Sequence, residues 1–407
     1  MIIGPCTIVT GGSKPAVIDE AGVRITGAHV AQLGPVGNLA AAYPEETLWP
    51  ARGRVLMPGF VNTHAHLARH LARGLRLTTP AEWRRYEQAL SPEDVRWAVT
   101  AALVEGVRHG VTTVGDFHRS GACIDLSLSE VLDAARAVGV RVATCYGASE
   151  FDTPAERRAA AEECVGTASD IAKQREGGLR GLVGIQATSL EGVESLMHEA
   201  LEVAGDRLAV HVDLALDSTP AERRRSKRRW HDTVLPSLWA HAESAPKSLL
   251  LEARERGDFL SAVQPSSFAG LARDVEIAWG SDAGLNAPPL PEAISGWAAG
   301  TRVESHYQRV FVHGPNWAAR LFSAGLGEIT AGAPADLVLL DYRPATELSS
   351  RTLYEHFWAG LLRAPVSGVM VAGEVLLDNG VIVSVDEREV AARARECAKR
   401  VWERLDG

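Results

Sequence analysis

Residues 58–66 read Pro-Gly-Phe-Val-Asn-Thr-His-Ala-His. A turn-forming pair feeds an apolar run of strand length that ends in two histidines. Side chains at i and i+2 of a strand share a face. His64 and His66 would therefore present two imidazoles together at the strand's C-terminal end, half of the donor set of a zinc-type site. Thirteen histidines in 407 residues make one H-x-H pair unremarkable by itself, so the rest of the chain must supply the context.

That context is a strict alternation of apolar runs with helical segments. After 60–66, runs follow at 111–116, 141–146, 182–187, 208–212, 238–242, 260–264 and 277–282. Segments of helical period lie between them at 91–108, 126–137, 154–175, 190–204, 220–235 and 246–256, with Ser91 and Pro92 forming a typical helix start. Alternation argues for a parallel sheet, and eight strands argue for its closure into a (β/α)8 TIM-like barrel. An open doubly wound sheet is the competing architecture. Short β-type runs with glycine turns occupy both chain ends, among them Ala372-Gly373 and the hairpin signal Asp378-Asn379-Gly380. The expected organisation is α/β: residues 1–57 and 333–385 form one composite β-sandwich, 58–332 the barrel, and 386–407 a helix packing on it. Asp386 and Glu389 have capping-box spacing, and Val390, Ala394, Cys397, Val401 and Leu405 make one stripe.

Composition excludes several function classes. An apolar content of 46% with 23% charged residues is that of a globular protein. Forty-two basic against 51 acidic residues leave a net charge of -9, which disfavours nucleic acid and anionic membranes as partners. Five scattered cysteines without a C-x-x-C pair read as reduced thiols. No apolar run is long enough to span a bilayer, and MIIGPCTIVTGG lacks the basic start of a signal peptide, so the expected location is cytoplasmic.

Barrel active sites collect side chains from C-terminal strand ends. Strand five ends at His211, strand six at His241 and strand eight at Asp282, within Gly280-Ser281-Asp282-Ala283-Gly284. Each taken singly has an ordinary structural explanation, a hydrogen-bonded histidine or a turn-forming aspartate. Together with the H-x-H pair they point to a metal centre.

Residues 50–67, PARGRVLMPGFVNTHAHL, and 327–341, GEITAGAPADLVLLD, resemble the two signature regions of the amidohydrolase superfamily, with a closer likeness to its chlorohydrolase, guanine-deaminase and SsnA-like aminohydrolase branch. The resemblance covers nearly the whole chain. It implies one divalent metal, zinc with iron as the alternative, held by His64, His66, His211 and Asp282. The metal would activate a water whose proton Asp282 takes, while His241 orients or polarises that water. The chain departs from the family at two places. The glutamate of the family's H-x-x-E on strand five is Leu214, and the histidine of strand four is replaced in Ile185-Gln186-Ala187. Strand spacing nominates Asp213 and Glu243 as substitutes for the missing acid, although both could equally be solvated loop carboxylates. Asp116-Phe117-His118 resembles the D-H-H run of SsnA-like proteins and nominates His118, with Gln186 and Arg69, as a substrate contact.

Arg69, His70 and Arg73 follow strand one, and residues 223–229, Arg-Arg-Arg-Ser-Lys-Arg-Arg, lie between strands five and six. These read as a solvated face or as an anion-steering rim. Residues 286–291, Asn-Ala-Pro-Pro-Leu-Pro, should wall the pocket, and Trp239 should pack in the core. The expected activity is hydrolysis of a non-peptide C–N bond in a small polar, heterocyclic substrate, by deamination or by amide or amidine hydrolysis. The alternatives are a metal- or ligand-binding protein that lost catalysis with the glutamate, or a lyase or isomerase. A homodimer is compatible with the resemblance.

Overall fold

The eight expected barrel strands are Phe60–Ala65, Val111–His118, Arg141–Ser149, Val183–Ala187, Val210–Leu214, Leu238–Ala240, Phe259–Ala262 and Ile277–Trp279. Each pairs in parallel with the next. The computed structural model describes residues 1–215, 236–263, 276–282, 303–323 and 325–406. The expected helix at 220–235 with its basic run 223–229, the proline-rich stretch 286–291 and Gln264 lie outside the described residues.

Local chemistry explains the helices around the barrel. Pro92–Arg108 starts with proline and is fixed by a reciprocal cap between Ser91 and Asp94. Thr153 and Glu156 do the same for Pro154–Gln174. Ser127–Val138 ends on Gly139 in the left-handed region, and Leu190–Ala204 is capped by Ser189. Val95, Val99, Leu103 and Val107 of the first helix join Leu128, Val131 and Leu132 of the second in one core with the outward face of the strands.

The two chain ends meet in a second sheet. Val55–Pro58 pairs in parallel with Ile2–Val9 on one side and antiparallel with Leu337–Leu340 on the other. The sheet runs on to Val366–Val371, Glu374–Asp378 and Val381–Ile382, joined by turns at Ala372-Gly373 and Asn379-Gly380. All four turn residues have positive φ, between 47° and 83°, as two-residue hairpins require. In place of two hydrogen-bonded layers there is one continuous nine-stranded sheet, one face of which closes on a core of its own that includes Ile3, Ile8, Val23, Leu56 and Met370. Its other face, with Val55, Met57, Val338 and Val369, merges with the barrel core.

Helix Glu387–Asp406 lies against Pro92–Arg108, burying Val390, Ala394, Cys397 and Val401. Arg404 pairs with the fully buried Asp94, and Trp402 Nε1 donates to the Leu71 carbonyl at 2.9 Å. No described helix is long and apolar enough to cross a membrane.

One buried ion pair ties sheet to barrel. Arg141, opening the third barrel strand, donates through Nε and Nη2 to both oxygens of Asp336 at 2.7 and 2.9 Å, and Asp336 also accepts the Ala372 N–H at 2.9 Å. Both side chains are under a tenth exposed, so removing one partner strands a charge in the interior. Asp336→Ala is expected to destabilise the protein by about 3–5 kcal/mol, measured as a lowered urea midpoint; an unchanged midpoint would refute this role.

Candidate metal centre

Strand ends one, five, six and eight bring their nominated residues into a single cluster. His64 and His66 leave the first strand on its inner face, with ring centroids 5.0 Å apart. His211 comes from strand five and stands with Nε2 2.9 Å from His64 Nδ1. The His241 ring lies 5.3 Å from that of His64. Asp282 approaches from strand eight, its Oδ1 3.6 Å from His66 Nε2 and its Oδ2 3.9 Å from His241 Nε2. His241 and Asp282 both adopt positive φ, 55° and 53°. This backbone region is costly for residues other than glycine and recurs at functional sites.

Electrostatics prepare this cluster for a cation. Burial, with His66 and His211 adding to it, holds His64 well below the ordinary histidine range, and burial takes His211 down to about 3. Both are neutral at pH 7, the state in which imidazole binds metals. Burial alone would raise Asp282, yet the nearby His66, His241 and Arg69 bring it below its usual value. Among the described residues, buried Nε2 of His64 and Nδ1 of His211 have no hydrogen-bond partner, which is costly unless a ligand satisfies them. Donor atoms of His64, His241 and Asp282 lie within 4.8 Å of one another, as do those of His64, His66 and Asp213. The donor set fits a divalent metal.

The two nominated carboxylates have different surroundings. Asp213, in strand Val210–Leu214, shares the inner face with His211, its Oδ2 3.5 Å from His66 Nε2 and its Oδ1 3.5 Å from His241 Nε2. Gln186, its in-register neighbour on strand four, donates Nε2 to Oδ2 at 2.7 Å. Leu214, one residue further, points the other way into the apolar core. Glu243 lies in the short 3-10 turn after His241, with Oε1 3.6 Å from His241 Nδ1 and both carboxylate oxygens 3.3 Å from the Val263 N–H. Burial opposes the charge of His241, but Glu243, Asp213 and Asp282 prevail and raise it to about 9.

Arg69 belongs to the cluster. Its Nη1 stands 3.7 Å from Asp282 Oδ1, while Nε and Nη2 donate to Glu87 Oε1 at 3.0 and 2.8 Å. Glu87 also accepts from Arg119 at 3.2 Å, and Arg119 continues to Asp152 at 2.8 Å, so a largely buried chain of charges runs from Asp282 to the end of strand three. Glu87 and Trp83 sit on helix Pro80–Gln88, which the strand count overlooked, although Thr79-Pro80-Ala81-Glu82 is a legible capping box.

Two expectations need correction. His118 is not in the cluster. Phe117 instead turns its ring toward His64, His66 and His211, at centroid distances of 5.4 to 6.1 Å, so His118 takes the opposite face of the strand with Nε2 on Ser120 Oγ at 2.9 Å. His70 and Arg73 do not form an anion-steering rim, because both are engaged by Glu105 of helix Pro92–Arg108, at 3.5 and 2.9 Å. As expected, Trp239 packs in the core, and it donates to Asp258 at 3.0 Å.

The chain resembles several known proteins. The sequence pattern of the Amidohydrolase family matches residues 55–255. The 5-methylthioadenosine/S-adenosylhomocysteine deaminase of Moorella thermoacetica is 25% identical, covering 97% of each chain. The 5'-deoxyadenosine deaminase of Methanopyrus kandleri is 24% identical over 85% of this chain and 86% of its own. Among solved structures, the zinc complex of atrazine chlorohydrolase TrzN from Arthrobacter aurescens superposes with a TM-score of 0.76 at 19% identity, covering 98% of this chain and 99% of the other. A zinc-bound adenosine deaminase from Xanthomonas campestris gives 0.71, also at 19% identity, covering 99% of this chain and 98% of the other.

Phe117 owes its inward position to Gly147 on strand three, where an added Cβ would come 2.1 Å from the ring. Gly147→Ala should cost about 1–3 kcal/mol of stability, with part recovered by adding Phe117→Leu in a double-mutant cycle of urea unfolding. Full tolerance of alanine at 147 would contradict this packing.

Proposed function

We propose that this chain, which belongs to the amidohydrolase family, is a metal-dependent hydrolase of a non-peptide C–N bond in a small, polar, aminated heterocycle or amidine. Its ligands are His64, His66, His211 and Asp282, and the resident ion is zinc, with iron as the alternative. When bound, the metal supplies Lewis-acid polarisation and a water of lowered pKa. Asp282 is placed to take the proton of the attacking water, and Arg69, 3.7 Å away, favours its ionised form. Arg69 and Trp83, whose ring lies 4.8 Å from the guanidinium, belong to the wall that meets the substrate.

The observation that carries the reading is the position of His241 among three carboxylates, with Glu243 at Nδ1 and Asp213 and Asp282 on the Nε2 side at 3.5 and 3.9 Å. A carboxylate behind one nitrogen fixes the ring and favours the imidazolium, leaving the other nitrogen to hand a proton to the departing amine. Glu243 therefore restores, from the next strand over, the proton donation lost at Leu214.

The enzyme reading predicts ammonia or amine release from aminated purines, amidines or amides that stops with a chelator and returns with zinc or iron. Asp282→Asn should abolish turnover, and Glu243→Gln should lower kcat about 10²-fold or more while metal content stays at the wild-type level. Tight metal binding without turnover of any of these substrates would favour the ligand-binding alternative. Turnover without incorporation of solvent oxygen would favour a lyase or isomerase.

A further inference from the structure

We propose that Asp213 is itself a ligand of the metal, a fifth protein donor beside His64, His66, His211 and Asp282, and that Gln186 is the positioning residue that aims it. This rests on the metal-centre reading above and adds to it an oxygen donor that the H-x-H, His and Asp pattern does not contain.

Backbone register comes first. Strands four and five are paired so that Gly184 lies beside His211 and Gln186 beside Asp213. His211 and Asp213 are two residues apart on a regular strand, so their side chains share the inner face. The absence of a side chain at Gly184 is enforced by its neighbours, since an added Cβ would meet the Tyr146 carbonyl at 2.6 Å and Cys145 Sγ at 2.8 Å. Gln186 then holds one carboxylate oxygen, Oδ2, through Nε2 at 2.7 Å.

The second oxygen is the informative one. Asp213 is 2% exposed, and Oδ1 is buried and accepts no hydrogen bond among the described residues. A carboxylate in the interior is tolerated only when its charge is paired and its lone pairs are used. The nearby guanidinium of Arg69 is committed to Glu87 and to Asp282. What faces Asp213 instead is the cluster of ring nitrogens, with His66 Nε2 and His241 Nε2 each at 3.5 Å. Donor atoms of His64, His66 and Asp213 lie within 4.8 Å of one another, a spread that one ion can bridge after small side-chain movements. A metal-bound carboxylate whose other oxygen is fixed by an amide is the usual way an outer residue orients a ligand.

Three imidazoles with two carboxylates make a harder donor set than the tetrahedral zinc sites of structural proteins. Such a set suits five-coordination and narrows the advantage of zinc over iron(II) or manganese(II).

The test uses the full chain stripped of metal, with zinc affinity measured by chelator competition and cobalt(II) as a spectroscopic probe. Asp213→Asn keeps the side-chain volume and should weaken zinc binding at least 10-fold, with the cobalt bands intensifying as the coordination number falls. Gln186→Leu, at a partly exposed position, should weaken it about 10–100-fold. Wild-type affinity together with an unchanged cobalt spectrum in Asp213→Asn would overturn the fifth ligand, and unchanged affinity in Gln186→Leu would overturn the aiming role. Failure of the wild-type chain to take up either ion would instead overturn the metal-centre reading on which the inference stands.

Discussion

Thr63 Oγ1, on the first barrel strand, lies 2.7 Å from the Trp279 carbonyl on the eighth and 2.7 Å from Ser261 Oγ on the seventh. Three residues after Trp279, Asp282 donates its backbone N–H to the His64 carbonyl at 3.1 Å, and Asn62 exchanges hydrogen bonds with Ser281 at 2.8 and 3.0 Å. This seam joins the two ends of the parallel sheet, and without it the H-x-H pair and Asp282 would have no reason to meet. Gly280 makes the approach possible, since a Cβ there would lie 2.8 Å from both Cβ and the carbonyl oxygen of His64. The seam thus fixes both the fold and the distance between the first and last members of the cluster.

From the seam outward, each layer constrains the next. Phe117 packs under the imidazoles, Gly147 leaves room for its ring, and Arg119 holds the Gly147 carbonyl while pairing with Glu87 and Asp152. Through Glu87 the same chain reaches Arg69 and Asp282. Charges that would be costly alone become tolerable in a connected network, which also reaches Asp282 with its positive φ. Function in this reading depends on buried polar connections more than on the shape of an apolar cleft.

Much of this was legible in the sequence. Period-two apolar runs, glycine turns and the strand-end positions of His64, His66, His211, His241 and Asp282 are local signals, and all of these residues converge. Helix Pro80–Gln88 could have been read from its capping box, but it interrupts the strand-helix alternation and offers only Trp83 and Tyr86 as an apolar face. The face taken by His118 was not legible, because it depends on which of two adjacent side chains the barrel interior accepts, and the answer lies in the missing side chain of Gly147. Nor could spacing separate Asp213 from Glu243. One lies in the strand and the other in a 3-10 turn entered through the left-handed conformation of His241, a choice made by tertiary structure.

We propose that these side chains hold one divalent metal in the barrel mouth. X-ray absorption at the metal edge of the purified, zinc-loaded protein tests it most directly. The expected result is near-stoichiometric metal in a shell of nitrogen and oxygen donors, with the outer scattering of about three imidazoles and no sulfur. A shell with sulfur donors, or one of water oxygens without imidazole scattering, would contradict it.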